Sequence, residues 1–171
     1  KGSFDAETHW GRVLEEQDYT SISRRSLFID LSIGPDAVWS GFKSRARNMI
    51  RKSEKADLVA NTISPDEAWI EEYYNLLKQT FERQGLSVPH PLSFYRQIIS
   101  LSQSGLALCV DVLIDGKISA GAIFLIDGHR MMYFSGVADR EGMRLAAPSL
   151  IQWHAIQSAI SKEIIGYDMG G

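Results

Sequence analysis

LALCVDVLIDGKISAGAIFLIDGHRMMYF, residues 106–134, is the stretch whose reading decides the fold. Leu106 to Ile114 is a short apolar run rich in β-forming residues, and Ile118 to Ile126 is another, so each reads as a strand. Asp115-Gly116 separates them and Asp127-Gly128 follows. Asp-Gly between two apolar runs is a hairpin signal, because both residues tolerate the positive φ that matches the twist of paired strands. Met131 to Phe134 then gives a third strand, and the whole is a three-stranded antiparallel meander. Gly121 in the middle strand marks a bulge or a close backbone approach.

Outward from the meander the period changes. Toward the C-terminus a polar loop, Ser135 to Arg144, leads to Pro148 and a helical set, Leu150, Ile151, Trp153, His154, Ile156 and Ile160. Ile164 to Met169 is a last strand before Gly170-Gly171. A helix crossing between the meander and this strand makes the strand parallel to a meander neighbour. Toward the N-terminus, Ser64-Pro65-Asp66-Glu67 reads as a capping box with Pro at the first helical position. Trp69, Tyr73, Leu76, Leu77, Thr80 and Phe81 continue a helical period, which Gly85 stops. Leu92 to Leu101 is a further helix. Earlier still, Ser26 to Ser32 alternates as a strand, and Gly34-Pro35 opens one amphipathic helix running to Lys55. Val38, Trp39, Phe42, Ala46, Met49 and Ile50 form its apolar stripe; Lys43, Arg47, Arg51 and Lys55 form a separate basic stripe. The expected fold class is therefore α/β, a mixed and mostly antiparallel sheet with one parallel strand and helices on both faces.

Composition sets limits. The chain has 171 residues, 44% hydrophobic and 23% charged, ordinary values for one globular domain or one domain with an appended piece. The longest apolar run falls far short of the ~20 residues of a membrane-spanning helix. One cysteine, Cys109, leaves no internal disulfide framework and fits a reducing, cytoplasmic compartment. Net charge is −3, so the chain is not a generally basic nucleic-acid binder. Six of the thirteen residues from Lys43 to Lys55 are basic and one, Glu54, is acidic. Such a run is either a solvated helix face or a track for phosphate groups. His9, His90, His129 and His154 show no ligand spacing, so no metal site is expected.

The order of elements resembles the acyltransferase fold of the Gcn5-related N-acetyltransferases (GNAT), and within it the FemAB-like, "acetyltransferase 6" branch of peptidyl and aminoacyl transferases. Three stretches carry the likeness: the strand LFIDLS with the basic helix after Trp39; the meander with Ala120-Gly121-Ala122 and Tyr133-Phe134-Ser135-Gly136; and Ala147-Pro148-x-Leu150-x-x-Trp153 through Tyr167-Asp168-Met169-Gly170-Gly171. The resemblance implies two tandem GNAT-like domains in relatives. Residues 1–60 would then be the end of a preceding domain, and 64–171 a second domain lacking its last elements.

Acyl transfer to an amine needs an activated acyl donor, a deprotonated amine and donors for the oxyanion. The resemblance places the backbone donors at the end of the third meander strand, near Gly136 and Val137. Asp168, at the C-terminal end of the last strand, is the candidate base, with Glu141 and Asp139 also in reach. Lys43, Arg47, Arg51 and Lys55 are candidate phosphate-binding residues, as are Arg140 and Arg144. Tyr133 and Tyr167 are candidate pocket residues. GNAT enzymes cradle coenzyme A with a Gly-rich turn, whereas Asp139 to Pro148 holds one glycine, Gly142. That favours the FemAB-like branch, whose donors are aminoacyl-tRNAs and whose acceptors are peptidoglycan precursors. The expectation is an N-acyltransferase moving an aminoacyl or acyl group to an amine on a cell-envelope precursor. An acyl-CoA-dependent N-acetyltransferase on a small amine and a non-catalytic GNAT-like binding module are the alternatives. Aminoacyl-tRNA or acyl-CoA would be the donor, with no further cofactor.

Overall fold

The computed structural model describes residues 26–170; the expected irregular stretch 1–22, with His9, and the terminal Gly171 lie outside them. In chain order the elements are β1 (Phe28–Asp30), α1 (Pro35–Gly41), α2 (Ser44–Lys55), β2 (Ala60–Ile63), α3 (Glu67–Glu82), α4 (Leu92–Gln103), β3 (Ala107–Ile114), β4 (Lys117–Asp127), β5 (Arg130–Ala138), α5 (Arg140–Arg144), α6 (Ala147–Ser161) and β6 (Gly166–Asp168).

The meander forms as expected. Asp115 (φ 51°) and Gly116 (φ 75°) both adopt positive φ, the conformation a two-residue hairpin turn requires. One six-stranded sheet results, in the order β1-β6-β5-β4-β3-β2. Every neighbouring pair is antiparallel except β5 and β6, which run parallel. Because side chains alternate along a strand, β3 feeds two cores. Leu108, Val110 and Val112 pack under α6, with Ile151, Ala155 and Ile156. Ala107 and Cys109 pack under α3 and α4, with Ile70, Tyr73, Leu77 and Ile98. Helices thus cover both faces, with α1 and α2 lying against α6. β1, read as part of a preceding domain, takes the edge beside β6 in this same sheet.

The sequence reading departs from the structure at four places. The single helix 35–55 is two helices, broken at Phe42 and Lys43 in extended conformation. The apolar stripe keeps its period across the break, which hid it. α3 starts two residues later than the expected capping box: Asp66, not Ser64, is the cap, its carboxylate accepting from Trp69 N–H at 2.8 Å. β2 was not expected at all; it is four residues long, with polar Asn61 and Thr62 on it. Finally, the polar loop 135–144 is instead four more residues of β5 followed by the short helix α5. Pairing to β4, with Ala138 opposite Ala120, holds a segment whose own side chains carry little strand signal.

Candidate active site

β5 and β6 part company. They pair only at Arg130–Gly166, Met131–Tyr167 and Met132–Asp168. β5 then continues to Ala138 with no partner on that side, while β6 ends at Asp168. A bulge bends β5 where they separate. Phe124 faces Tyr133 and Ile123 faces Ser135, so Phe134 is the extra residue.

The ladder fixes which amides enter the gap. Asp139 N–H donates to the Ser119 carbonyl on β4 at 2.9 Å. Backbone groups alternate along an antiparallel strand, so those of Val137 face β4 and those of Gly136 and Ala138 face away from it, into the gap. The Ala138 carbonyl agrees: it accepts from the Arg83 guanidinium at 2.9 Å rather than from a strand. Of the two candidate backbone donors, Gly136 offers its N–H to the gap, whereas Val137 turns its backbone to β4 and packs in the core under α3 and α4.

The gap opens into a cleft of about 490 Å³. Gly121 and Ala122 of β4 and Gly136 to Ala138 of β5 bound it, with Thr80 and Arg83 at the end of α3 and Ile151 and Gln152 of α6. A Cβ at Gly136 would stand 2.1 Å from the Tyr133 hydroxyl oxygen, so that phenol lies directly against the glycine. Burial holds the Tyr133 phenol above its ordinary pKa, so it stays a proton-bearing donor. Tyr167 is fully buried; its hydroxyl donates to Oε1 of Gln152 on the cleft wall. A second cleft of about 520 Å³ holds Gln79, Glu82, Asp139, Arg140 and Glu141, and shares Arg83 with the first.

The other expected residues sit elsewhere. Asp168 is not on the cleft wall; its carboxylate accepts from Gly170 N–H at 2.9 Å and from the Ser26 hydroxyl, tying down the turn after β6. Asp139 caps α5, accepting from Gly142 N–H at 2.7 Å and from the Ser119 hydroxyl at 2.8 Å. Glu141 pairs with Arg144, which draws its carboxyl below the ordinary pKa. Gly142 is explained by packing: a Cβ there would stand 2.5 Å from the Ser119 carbonyl oxygen. On α2 the basic stripe divides. Arg47 donates to the carbonyls of Ser40 (3.1 Å) and Phe42, satisfying the end of α1, and Arg51 lies 5.6 Å over the Trp39 ring. Lys43 and Lys55 are exposed and make no ion pair among the described residues. Burial pushes the Cys109 thiol up to about 12, which makes it a small packing group and not a nucleophile.

Sequence reasoning missed Arg83, Glu82, Thr80 and Gln152. The first three sit at the C-terminal end of α3, and only the sheet brings that end beside β5.

The profile of the acetyltransferase (GNAT) domain matches residues 40–171. The chain belongs to this family. It carries a GNAT acetyltransferase domain, in which the parted strands leave a backbone amide facing a gap. Among solved structures, FemX superposes with a TM-score of 0.76 at 14% identity, covering 85% of this chain and 52% of FemX. A conserved protein of unknown function from Bacteroides thetaiotaomicron gives 0.61 at 15% identity, over 84% and 49% of the two chains. L-PGS from Bacillus licheniformis gives 0.58 at 12% identity, over 85% and 44%. At these identities the likeness is one of fold, and the chain spans about half the length of each. No curated protein matches the chain.

Proposed function

We propose that this acyltransferase domain moves an acyl or aminoacyl group from an activated donor to an amine on a cell-envelope precursor. The observation that carries the reading is the Gly136 N–H facing an unpaired gap that opens into a cleft. A carbonyl laid in the gap would take that hydrogen bond, and the bond would strengthen as the oxygen gains charge. The amine would arrive from the second cleft, where Glu82 makes no hydrogen bond or ion pair among the described residues. Glu82 replaces Asp168 as candidate base, since Asp168 holds its own turn. Arg83, already turned to the gap by the Ala138 carbonyl, would receive an anionic part of either substrate. The envelope precursor as acceptor rests on the resemblance to the FemAB-like branch. On the same reading, residues 1–60 close a preceding half and 64–171 form the second half of a two-half enzyme.

The test is transfer itself. The protein is incubated with acetyl-CoA or aminoacyl-tRNA and a panel of amine-bearing envelope precursors, and products are read by mass. Transfer is expected for wild type and lost in Gly136→Val, whose side chain would fill the gap and strike Tyr133. Undiminished transfer in that variant would overturn the reading.

A further inference from the structure

The cleft beside Gly136 has an uneven chemistry. None of its lining residues is Asp or Glu. It holds one cation, the Arg83 guanidinium, and the donors Gly136 N–H, the Tyr133 hydroxyl and the side-chain amide of Gln152; Gln84 also lines it, and the Gly136 and Ala138 carbonyls face it as uncharged acceptors. Thr80 has its hydroxyl hydrogen committed to the Leu76 carbonyl at 2.9 Å. Gln152 could in principle present either end of its amide, but Tyr167 decides which. The Tyr167 hydroxyl is buried and donates to Gln152 Oε1, and it has no other acceptor among the described residues. A buried O–H without an acceptor is costly, so the carbonyl end of Gln152 is held toward Tyr167. The NH₂ end is left to the cleft, where it has no partner among the described residues and is not buried.

From this we infer that Gln152 is a specificity-determining residue, positioned by Tyr167, and that the cleft selects a donor whose acyl group carries no free ammonium. The inference rests on the proposed use of the gap as acyl site and narrows it. An α-ammonium bound here would lose water, find no carboxylate and lie near the Arg83 cation. A neutral acyl group, or one ending in a carbonyl or carboxylate, would meet the Gln152 NH₂ and the Arg83 cation without that cost. The carboxylates Glu82, Asp139 and Glu141 all lie in the neighbouring cleft, on the side proposed for the amine acceptor.

The experiment is a two-dimensional NMR titration of the ¹⁵N-labelled chain with acetyl and glycyl thioesters of N-acetylcysteamine. It is run at about pH 6, where an α-amino group of pKa about 7.7–8.0 is protonated. The Gly136 amide and the Gln152 side-chain NH₂ are both observed directly. The acetyl thioester is expected to shift both signals and to bind about tenfold more tightly than the glycyl thioester. Gln152→Glu keeps an acceptor for Tyr167 and adds a carboxylate, so it should invert that preference. Tyr167→Phe should reduce the preference toward unity with the rest of the spectrum unchanged, a result that a merely structural role would not give. Equal or tighter binding of the glycyl thioester to wild type, with the Gly136 amide shifting, overturns the selectivity while the cleft reading stands. No shift at Gly136 with either thioester overturns both.

Discussion

Asp111 is 4% exposed on β3; Trp69 Nε1 donates to its Oδ2 at 3.0 Å, but its Oδ1 has no partner among the described residues. Burial pushes its carboxyl above the ordinary pKa, outweighing the Trp69 hydrogen bond. The folded chain therefore holds this proton more tightly than the unfolded chain does. The contribution to stability is fully present below the unfolded value of about 3.9 and is lost as pH rises through the folded value. Asp111→Asn should gain on the order of 1 kcal/mol at pH 7, and the gain should vanish near pH 3, read by urea denaturation at both. Glu163 offers a second residue-scale test. It ends α6 at φ 59°, and Ile164 N–H donates back to the Ala159 carbonyl at 3.0 Å, the motif in which glycine is preferred. Glu163→Gly should stabilise by about 0.5–1 kcal/mol, because the left-handed strain relieved exceeds the added freedom of the unfolded chain. The glycines at 136 and 142 should behave differently. Gly142→Ala would strike the Ser119 backbone carbonyl and cost about 1–3 kcal/mol of stability. Gly136→Ala would meet the movable end of Tyr133, so it should cost less stability and weaken binding of an acyl thioester more.

At the scale of elements, Arg47 is the residue that lets one apolar stripe fold as two helices, since its guanidinium satisfies the carbonyls left where α1 stops. Arg47→Ala should cost about 1.5–3 kcal/mol in thermal or urea unfolding. If it costs nothing but weakens binding of an anionic substrate, the arginine belongs to a phosphate track after all. This pair shows what the sequence could and could not disclose. The meander was legible because Asp115-Gly116 dictates a local conformation, and α3 and α6 because their apolar spacing is local too. The 42–43 break was not, since it depends on an arginine four residues beyond it reaching back. β2 and the end of β5 were hidden for a related reason: each is a strand only because a neighbour offers a ladder. At the candidate site, Gly136 and Tyr133 were readable as groups near a strand end. Gln152 was not, because its role depends on Tyr167, fifteen residues along the chain and on another element.

Across the whole molecule, the proposed function depends on one interruption in an otherwise continuous sheet. Five junctions join its six strands, and the one between β5 and β6 is made for only three residue pairs, although β5 runs on for six residues more. Beyond that point a bulge at Phe134, the turn held by Asp168 and the two end-on helices α3 and α6 keep the edge of β5 open and lined. The basic helix α2 and β1 brace the far side of α6 and the outer edge of β6. The claim on which the rest depends is that Gly136 presents a free N–H to this opening while its neighbour does not. Residue-resolved amide hydrogen exchange reads it directly. Gly136 N–H should exchange orders of magnitude faster than Val137 N–H, which β4 holds, and should become protected when an acetyl thioester binds. Equal, strong protection of both amides in the free protein would mean the strands are closed beside Gly136, and would contradict the account.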